Sequence, residues 1–347
     1  MHNIRQAVGQ LLLVGFPGAD PEPPPSVTAA LEAGEIGGVI LFRRNVADVD
    51  QVAALNAAVH HAARGAIASP FVAVDQEGGR VVRLREPLTP LPTMRAAGAK
   101  NDPDLVVRLS EVIATELSAL GFNLNFAPVL DVDTNPDNPV IGDRAFATTP
   151  ERVARYGGAF LIGHLMAGVV PCGKHFPGHG DTLVDSHLGL PRLMHDMERL
   201  DEIELLPFRM AVQAGIPMIM TAHISLPALD AFHPATMSRK IIGDLLREDI
   251  GYDGIVITDC LEMKAVSEQY EIEEMVELSL MAGVDIFLIC HTEEKWKRAF
   301  EHLCALAEKD DAARERIFES ARRVQKLKED FWGKLPRPWQ PIEGWRE

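Results

Sequence analysis

The sequence is poor in cysteine: four residues in 347, Cys172, Cys260, Cys290 and Cys304, with no CxxC and no regular spacing. That excludes a disulfide-stapled scaffold and leaves buried free thiols in a reducing compartment as the economical reading. Positive charge is also scarce. Lys and Arg number 34 against 50 Asp and Glu, a formal net charge of −16. Polyanions are repelled at long range by such a surface, which argues against nucleic acid and anionic membranes as partners. No apolar stretch approaches the length of a membrane span. The apolar run Leu11–Phe16 is too short for a signal-peptide core and no small-residue cleavage site follows it. A cytoplasmic, monomeric protein is the expectation. No low-complexity linker divides the chain and no internal repeat is visible.

What is present is an alternation. Eight short apolar runs read as strands: Leu11–Phe16, Gly38–Phe42, Phe71–Asp75, Asn123–Asp131, Val169–His175, Met218–His223, Ile255–Asp259 and Asp285–Cys290. Runs such as GVILF, FVAVD and GIVITD are continuously apolar, as parallel strands covered on both faces are. Helical signals lie between them. Asp102–Pro103 supplies an N-cap and a first-turn proline, Leu105, Leu109, Ile113, Leu117 and Leu120 follow at helical spacing, and Gly121 supplies the stop. Thr149–Pro150 repeats the device for a helix reaching about Gly168. Ser267 to Ala282 reads as one helix, and the chain after Cys290 as helix (292–335) packed on the body, ending in the Pro/Trp-rich PRPWQPIEGW. Eight β-then-α units predict one domain over residues 1–347, a single-domain (β/α)8 TIM-type barrel. A doubly wound open sheet is the alternative, but no GxGxxG follows the first strand.

A barrel brings the C-terminal ends of its strands to one mouth. Those ends carry Asp75, Asp131 with Asp133, Lys174–His175, His223 and Asp259. Ionisable groups directly after apolar runs are costly to bury unless paired or used. Helix capping and barrel-mouth salt bridges account for roughly half of such residues taken singly. The segment after strand five, KHFPGHGDTLVDSH (174–187), packs three His, two Asp and one Lys into a Gly/Pro-broken loop. Two chemistries fit it. In one, Asp185 orients His187 as an acid/base pair, with Asp259 as a nucleophile on another strand end. In the other, His175, His179, Asp181, Asp185, His187 and His223 hold a metal ion. Lys174 beside His175 and the lack of an HxH in strand one count against the second.

KHFPGHGDTLVDSH closely resembles the motif of the glycoside hydrolase family 3 β-N-acetylglucosaminidases of the NagZ type. The resemblance extends to VDQEGGRVVRL (74–84), FNLNFAPVLDVDTNPDNPVIGDRAF (122–146), MTAHI and ITDCLEM. It implies an exo-acting retaining β-N-acetylhexosaminidase without a cofactor or metal, acting on GlcNAc-containing glycans such as peptidoglycan fragments during wall recycling. In that pattern Asp259 is the nucleophile and His187 the acid/base assisted by Asp185. Asp75, Arg83, Arg144, Lys174 and His175 hold the terminal sugar. The family's β-glucosidases with a second α/β domain lack the DSH element that this chain carries. Cys260 stands where the family often has a second Asp and is expected to point away from the sugar. Phosphorolysis to GlcNAc 1-phosphate, another family 3 β-glycosidase activity, a metal-dependent hydrolase and a non-catalytic sugar-binding barrel are the competing readings. His60, His61, His164 and His195 match nothing in the motif and read as surface or packing residues.

Overall fold

A computed structural model describes residues 3–333. All eight expected strands form: β1 (Leu12–Val14), β2 (Gly38–Leu41), β3 (Phe71–Val74), β4 (Leu124–Asn125), β5 (Val170–Phe176), β6 (Met218–Thr221), β7 (Ile255–Thr258) and β8 (Phe287–Ile289). They pair in parallel in the order β7-β6-β5-β4-β3-β2-β1-β8. An Ile257–Ile286 bridge joins β7 to β8 and closes the ring. The protein is a (β/α)8 barrel.

The continuously apolar strands divide by parity. Leu13, Ile40, Ala73, Cys172, Met220 and Ile257 point into the barrel, while Leu12, Val39, Val72, Ile219 and Val256 pack outward against the helices. Strand residues alternate faces, so only a barrel with helices outside buries both sets.

β4 is shorter than its apolar run because the chain there contains Pro128, which has no N–H to give a ladder. Pairing with β5 resumes irregularly, through Cys172 N–H to Ala127 O at 2.8 Å and Leu130 N–H to Lys174 O at 2.6 Å. Asparagine side chains fill the gap: Asn123 Oδ1 accepts from Val72 N and Asn125 Oδ1 from Gln76 N. Asp102 caps the helix Pro103–Ala119 as expected, its carboxylate accepting from Leu105 N. That helix crosses Pro150–Met166 closely at Gly163, where a Cβ would lie 2.5 Å from Val107 O. At this crossing His164 is fully buried between Ser110 and Asn125, and burial holds its ring neutral, with a pKa of about 3.

Two helical expectations need correction. Residues 267–282 are not one helix: Lys264–Ser267 and Ile272–Ala282 are separate, with Glu271 extended between them. The C-terminal segment is likewise two helices, Glu293–Lys309 and Asp311–Trp332. Asp310 breaks it by adopting extended backbone so that its carboxylate can cap Ala312 N at 2.8 Å. The second helix closes the end of the barrel opposite the mouth. Val324 enters the luminal core with Leu327, Phe331 and Trp332 against it, and the Trp332 ring meets Phe71 edge-on. Arg316 and Arg323 of this helix join Arg247 on fully buried Asp285. The tail PRPWQPIEGW lies outside the described residues. Among the described residues, no helix is long and apolar enough to cross a membrane.

Candidate active site

The strand ends converge on a cavity of about 300 Å³ at the barrel mouth, within the range of small-molecule sites. Its lining includes all eight residues singled out from the sequence: Asp75, Arg83, Arg144, Lys174, His175, Asp185, His187 and Asp259. These came from five separate stretches of chain.

The floor is a network of ion pairs. Lys174, 2% exposed, reaches Asp75 Oδ1 at 2.8 Å and Glu77 Oε1 at 2.6 Å. Arg83 donates to the other Asp75 oxygen at 3.0 Å. Arg144 grips Glu77 with both Nε and Nη2, at 2.9 and 2.8 Å, the two-pronged geometry guanidinium favours with a carboxylate. Burial alone would raise both carboxyls. For Asp75, Lys174 and Arg83 outweigh it; for Glu77, Arg144 and Lys174 do, and both stay below the usual carboxylate range. Burial likewise pulls against the Lys174 ammonium, and Asp75 and Glu77 reverse it, leaving its pKa raised. Glu77 was missed in the sequence. It lies within QEGGR, where Gly78 (φ +109°) and Gly79 (φ +57°) fold the chain so that Glu77 turns inward; the buried fit of that turn is invisible in a string of letters.

Behind His175 sits Asp131, fully buried. Its Oδ2 accepts from His175 Nδ1 at 2.7 Å, and its Oδ1 from the backbone N–H of His175 and of His179. With Nδ1–H committed to a carboxylate, His175 presents Nε2 to the cavity. Burial raises the Asp131 carboxyl, but His175 outweighs it and keeps it ionised. Asp133 takes no part in the cavity; it pairs with Arg95 at 2.5 Å. His223 also stays behind the wall. Thr221 O–H can donate to Thr236, Thr236 O–H to His223 Nδ1, and His223 Nε2–H to Cys260 O. That chain fits a neutral ring, and burial depresses its pKa accordingly.

Asp259 stands just past the end of β7. One oxygen, Oδ1, accepts from the Cys260 N–H at 2.7 Å, and among the described residues no hydrogen bond engages the other. Burial would raise this carboxyl, but the His223 and His175 rings and the Cys260 N–H outweigh it. It is ionised at neutral pH. Asp185 and His187 pair on the wall of the same cavity: Asp185 Oδ1 accepts from both the backbone N–H and Nδ1 of His187, each at 2.8 Å. The His187 side chain is 66% exposed, and among the described residues its Nε2 has no hydrogen-bond partner.

The loop between β5 and His187 has two characters. Its first half is buried and pinned: Asn138 donates to the carbonyls of His179 and Gly180, and a Cβ on Gly180 would sit 1.8 Å from Val132 O. His179, buried and neutral with a pKa of about 4, spans Thr182 and Ser186. The second half rises into solvent at Leu183 and Leu188, 73% and 71% exposed. The six residues of the metal-site alternative do not converge. His175 is bound to Asp131, His179 to Thr182 and Ser186, Asp181 to His195, and His223 to Thr236 and Cys260. Among the described residues no group of three or more His, Cys, Asp or Glu is arranged to hold a metal ion. One further expectation fails: Cys260 does not turn away but lines the cavity, beside Cys290 and His291. His60 and His164 are buried packing residues as expected, while His195 braces Asp181.

Comparison with known proteins accounts for this arrangement. The family model "Glycosyl hydrolase family 3 N terminal domain" matches residues 3–327. "Beta-hexosaminidase A" of Pseudoalteromonas piscicida is 39% identical over 329 residues, covering 88% of this chain and 55% of that protein. "Beta-hexosaminidase" of Thiobacillus denitrificans is 42% identical over 269 residues, 75% of this chain and 72% of that one. Among solved structures, a glycoside hydrolase family 3 beta-N-acetylglucosaminidase from a Paenibacillus species superposes with a TM-score of 0.93 at 41% identity. The match takes in 99% of this chain and 65% of the other. NagZ from Neisseria gonorrhoeae gives 0.76 at 31%, covering 91% and 98%. The chain thus spans little more than half of the Pseudoalteromonas relative and about two thirds of the Paenibacillus one. It belongs to glycoside hydrolase family 3, whose N-terminal domain the barrel represents.

Proposed function

We propose that the protein is an exo-acting, retaining β-N-acetylhexosaminidase of the cytoplasm that removes terminal β-linked GlcNAc from peptidoglycan fragments or related glycans. The observation that carries this reading is the Asp185–His187 pair lining the same cavity as ionised Asp259. Asp259 Oδ2, free of the bond that occupies Oδ1, attacks the anomeric carbon. His187 Nε2 gives its proton to the departing glycosidic oxygen as that bond breaks. In the second half-reaction the same nitrogen takes a proton from water, which attacks the glycosyl-enzyme and releases Asp259. Asp185 fixes the tautomer and stabilises the imidazolium in between. Lys174, Arg83, Arg144, Asp75 and His175 offer directional, charge-assisted bonds to the hydroxyls of one sugar, and Glu77 holds two of those cations in place. A floor built of such pairs suits a terminal residue better than a chain passing through. The relatives named beta-hexosaminidase support the 2-acetamido sugar.

The test is release of phenol from an aryl β-GlcNAc substrate. Asp259→Asn should abolish turnover, and full activity in that variant would sink the assignment. The use of an imidazole in place of a carboxylic acid is also compatible with incoming phosphate, which a carboxylate would repel. Running the reaction with and without inorganic phosphate separates the two: GlcNAc in both cases indicates hydrolysis, GlcNAc 1-phosphate indicates phosphorolysis. Undiminished activity in a chelator is the expected result, and its loss would favour the metal-dependent reading.

A further inference from the structure

One cluster in the cavity is used by none of these steps. Cys260 follows Asp259 at the end of β7, and Cys290 follows β8 on the neighbouring strand; the two strand ends are held together by Leu261 N–H to Leu288 O at 2.9 Å. Both cysteines line the cavity, with His291 beside them. The Cys260 thiol lies against the Cys290 thiol and the His291 ring. His291 is stacked on Phe42 and bonded by half-buried Arg44, whose guanidinium also donates to the carbonyls of Phe16 and Cys290. An imidazole, itself bonded by a guanidinium, and a second sulfur therefore flank one thiol at the cavity wall, where Cys260 is 7% exposed. Such surroundings favour a thiolate.

We propose that Cys260 and Cys290 form a peroxide-reactive pair whose oxidation to a disulfide at the cavity wall displaces the Cys260 N–H that seats Asp259. The Cys260 thiolate attacks hydrogen peroxide: an S–O bond forms, the O–O bond breaks, and hydroxide leaves and is protonated by solvent. The Cys290 thiol then attacks the sulfenic sulfur. An S–S bond forms, the S–O bond breaks, and the hydroxyl leaves as a second water with the thiol proton. Two thiols are oxidised by two electrons and one peroxide is reduced. The Cys290 thiol with which Cys260 pairs lowers the Cys260 pKa to about 6, with His291 adding to the effect, whereas burial pushes Cys304 up to about 12. Cys172 is also raised by burial. Reaction should therefore be selective. The consequence for turnover rests on the proposed function, because the Cys260 N–H holds Asp259 Oδ1; the chemistry itself does not.

Treatment of the purified chain with hydrogen peroxide at pH 7.5, followed by peptide mapping, tests both. The expected result is a Cys260–Cys290 disulfide forming about tenfold or more faster than any change at Cys304, reversed by dithiothreitol. In Cys290→Ser the reaction should stop at a sulfenic acid on Cys260, trapped by dimedone. A Cys260 that reacts no faster than Cys304, or that is never joined to Cys290, overturns the proposal. Aryl-GlcNAcase activity, normalised to each untreated variant, should fall in step with the disulfide in the native chain and return on reduction. Activity that persists through full disulfide formation overturns the coupling of the pair to Asp259. A chain with no such activity at all, yet a disulfide by mass, would instead count against the proposed function.

Discussion

Replacing Lys174 with Met removes a buried cation from between two carboxylates. The ammonium is 2.8 Å from Asp75 and 2.6 Å from Glu77, with its side chain 3% exposed. Removing one partner of a buried pair typically costs about 3–5 kcal/mol, because the charge left behind is uncompensated. Arg83 and Arg144 remain on the outer oxygens, so Lys174→Met should fall at the lower end, about 3 kcal/mol. In a chain of 347 residues that is a drop in Tm of about 4 °C at pH 7. The pH dependence gives the sharper test. In the native protein both carboxyls are depressed below their unfolded values, so their contribution is present at neutral pH and is lost only as pH falls below about 4. In Lys174→Met the same carboxyls are pushed upward by burial, so taking up a proton relieves the variant at a pH where the native protein is unaffected. The gap in Tm should narrow between pH 7 and pH 5 in scanning calorimetry, and adding Glu77→Gln should recover part of it at pH 7. A gap that is constant or widens on acidification refutes the argument, as does a variant that melts with the native protein at pH 7.

His187→Ala should lower kcat/KM on aryl β-GlcNAc by about 10²–10⁴ with an unchanged Tm, since the ring is exposed; an unchanged rate would remove His187 from the mechanism. Gly180→Ala forces a Cβ to within 1.8 Å of Val132 O, so the pinned half of the loop must move, and both Tm and turnover should drop. A fully active variant would show that the close approach is unimportant. Lys328 lies buried with Gln10 Oε1 and Gly37 O as its acceptors, and burial lowers its pKa to about 7. A lysine lowered on folding binds its proton more readily when unfolded, so it makes stability rise between pH 7 and about pH 10. Lys328→Met should lack that slope, so the difference in Tm between native and variant should change across this window, and a difference independent of pH would contradict it.

The barrel was legible because its physics is periodic. Strands buried on both faces must be continuously apolar, and GVILF, FVAVD and GIVITD declare themselves without any knowledge of their neighbours. The misreadings fell where a single residue overrules the pattern. Asp310 interrupts an otherwise helical stretch because its carboxylate binds Ala312 N, and Pro128 cuts β4 short of its apolar run. Residues whose identity alone implies chemistry, such as Asp259 and the Asp185–His187 pair, could be named from the sequence. Glu77 and Asp131 were harder, because their importance lies in what they hold. Glu77 reads as a residue of a glycine turn until Lys174 and Arg144, 97 and 67 positions further along the chain, are brought against it. Cys260, expected from the resemblance to point away from the sugar, lines the cavity instead, just past the end of β7 at Thr258.

The division of the loop at Thr182 connects fold to mechanism. Everything before it is fixed to the barrel by Asp131, Asn138 and the Gly180–Val132 contact, so Lys174 and His175 present a floor that is ready before substrate arrives. Everything after it is tied by few bonds, chiefly His179 to Ser186 and Ala265 N–H to Ser186 O at 3.2 Å. The proposed acid/base, His187, therefore sits on an exposed part of the site, and the proposed nucleophile, Asp259, on a buried part. The proposed retaining mechanism would make that asymmetry useful. In it Asp259 would hold one position through formation and breakdown of a covalent bond, whereas His187 would give a proton to one oxygen and take one from another, and a leaving group would depart past it in between.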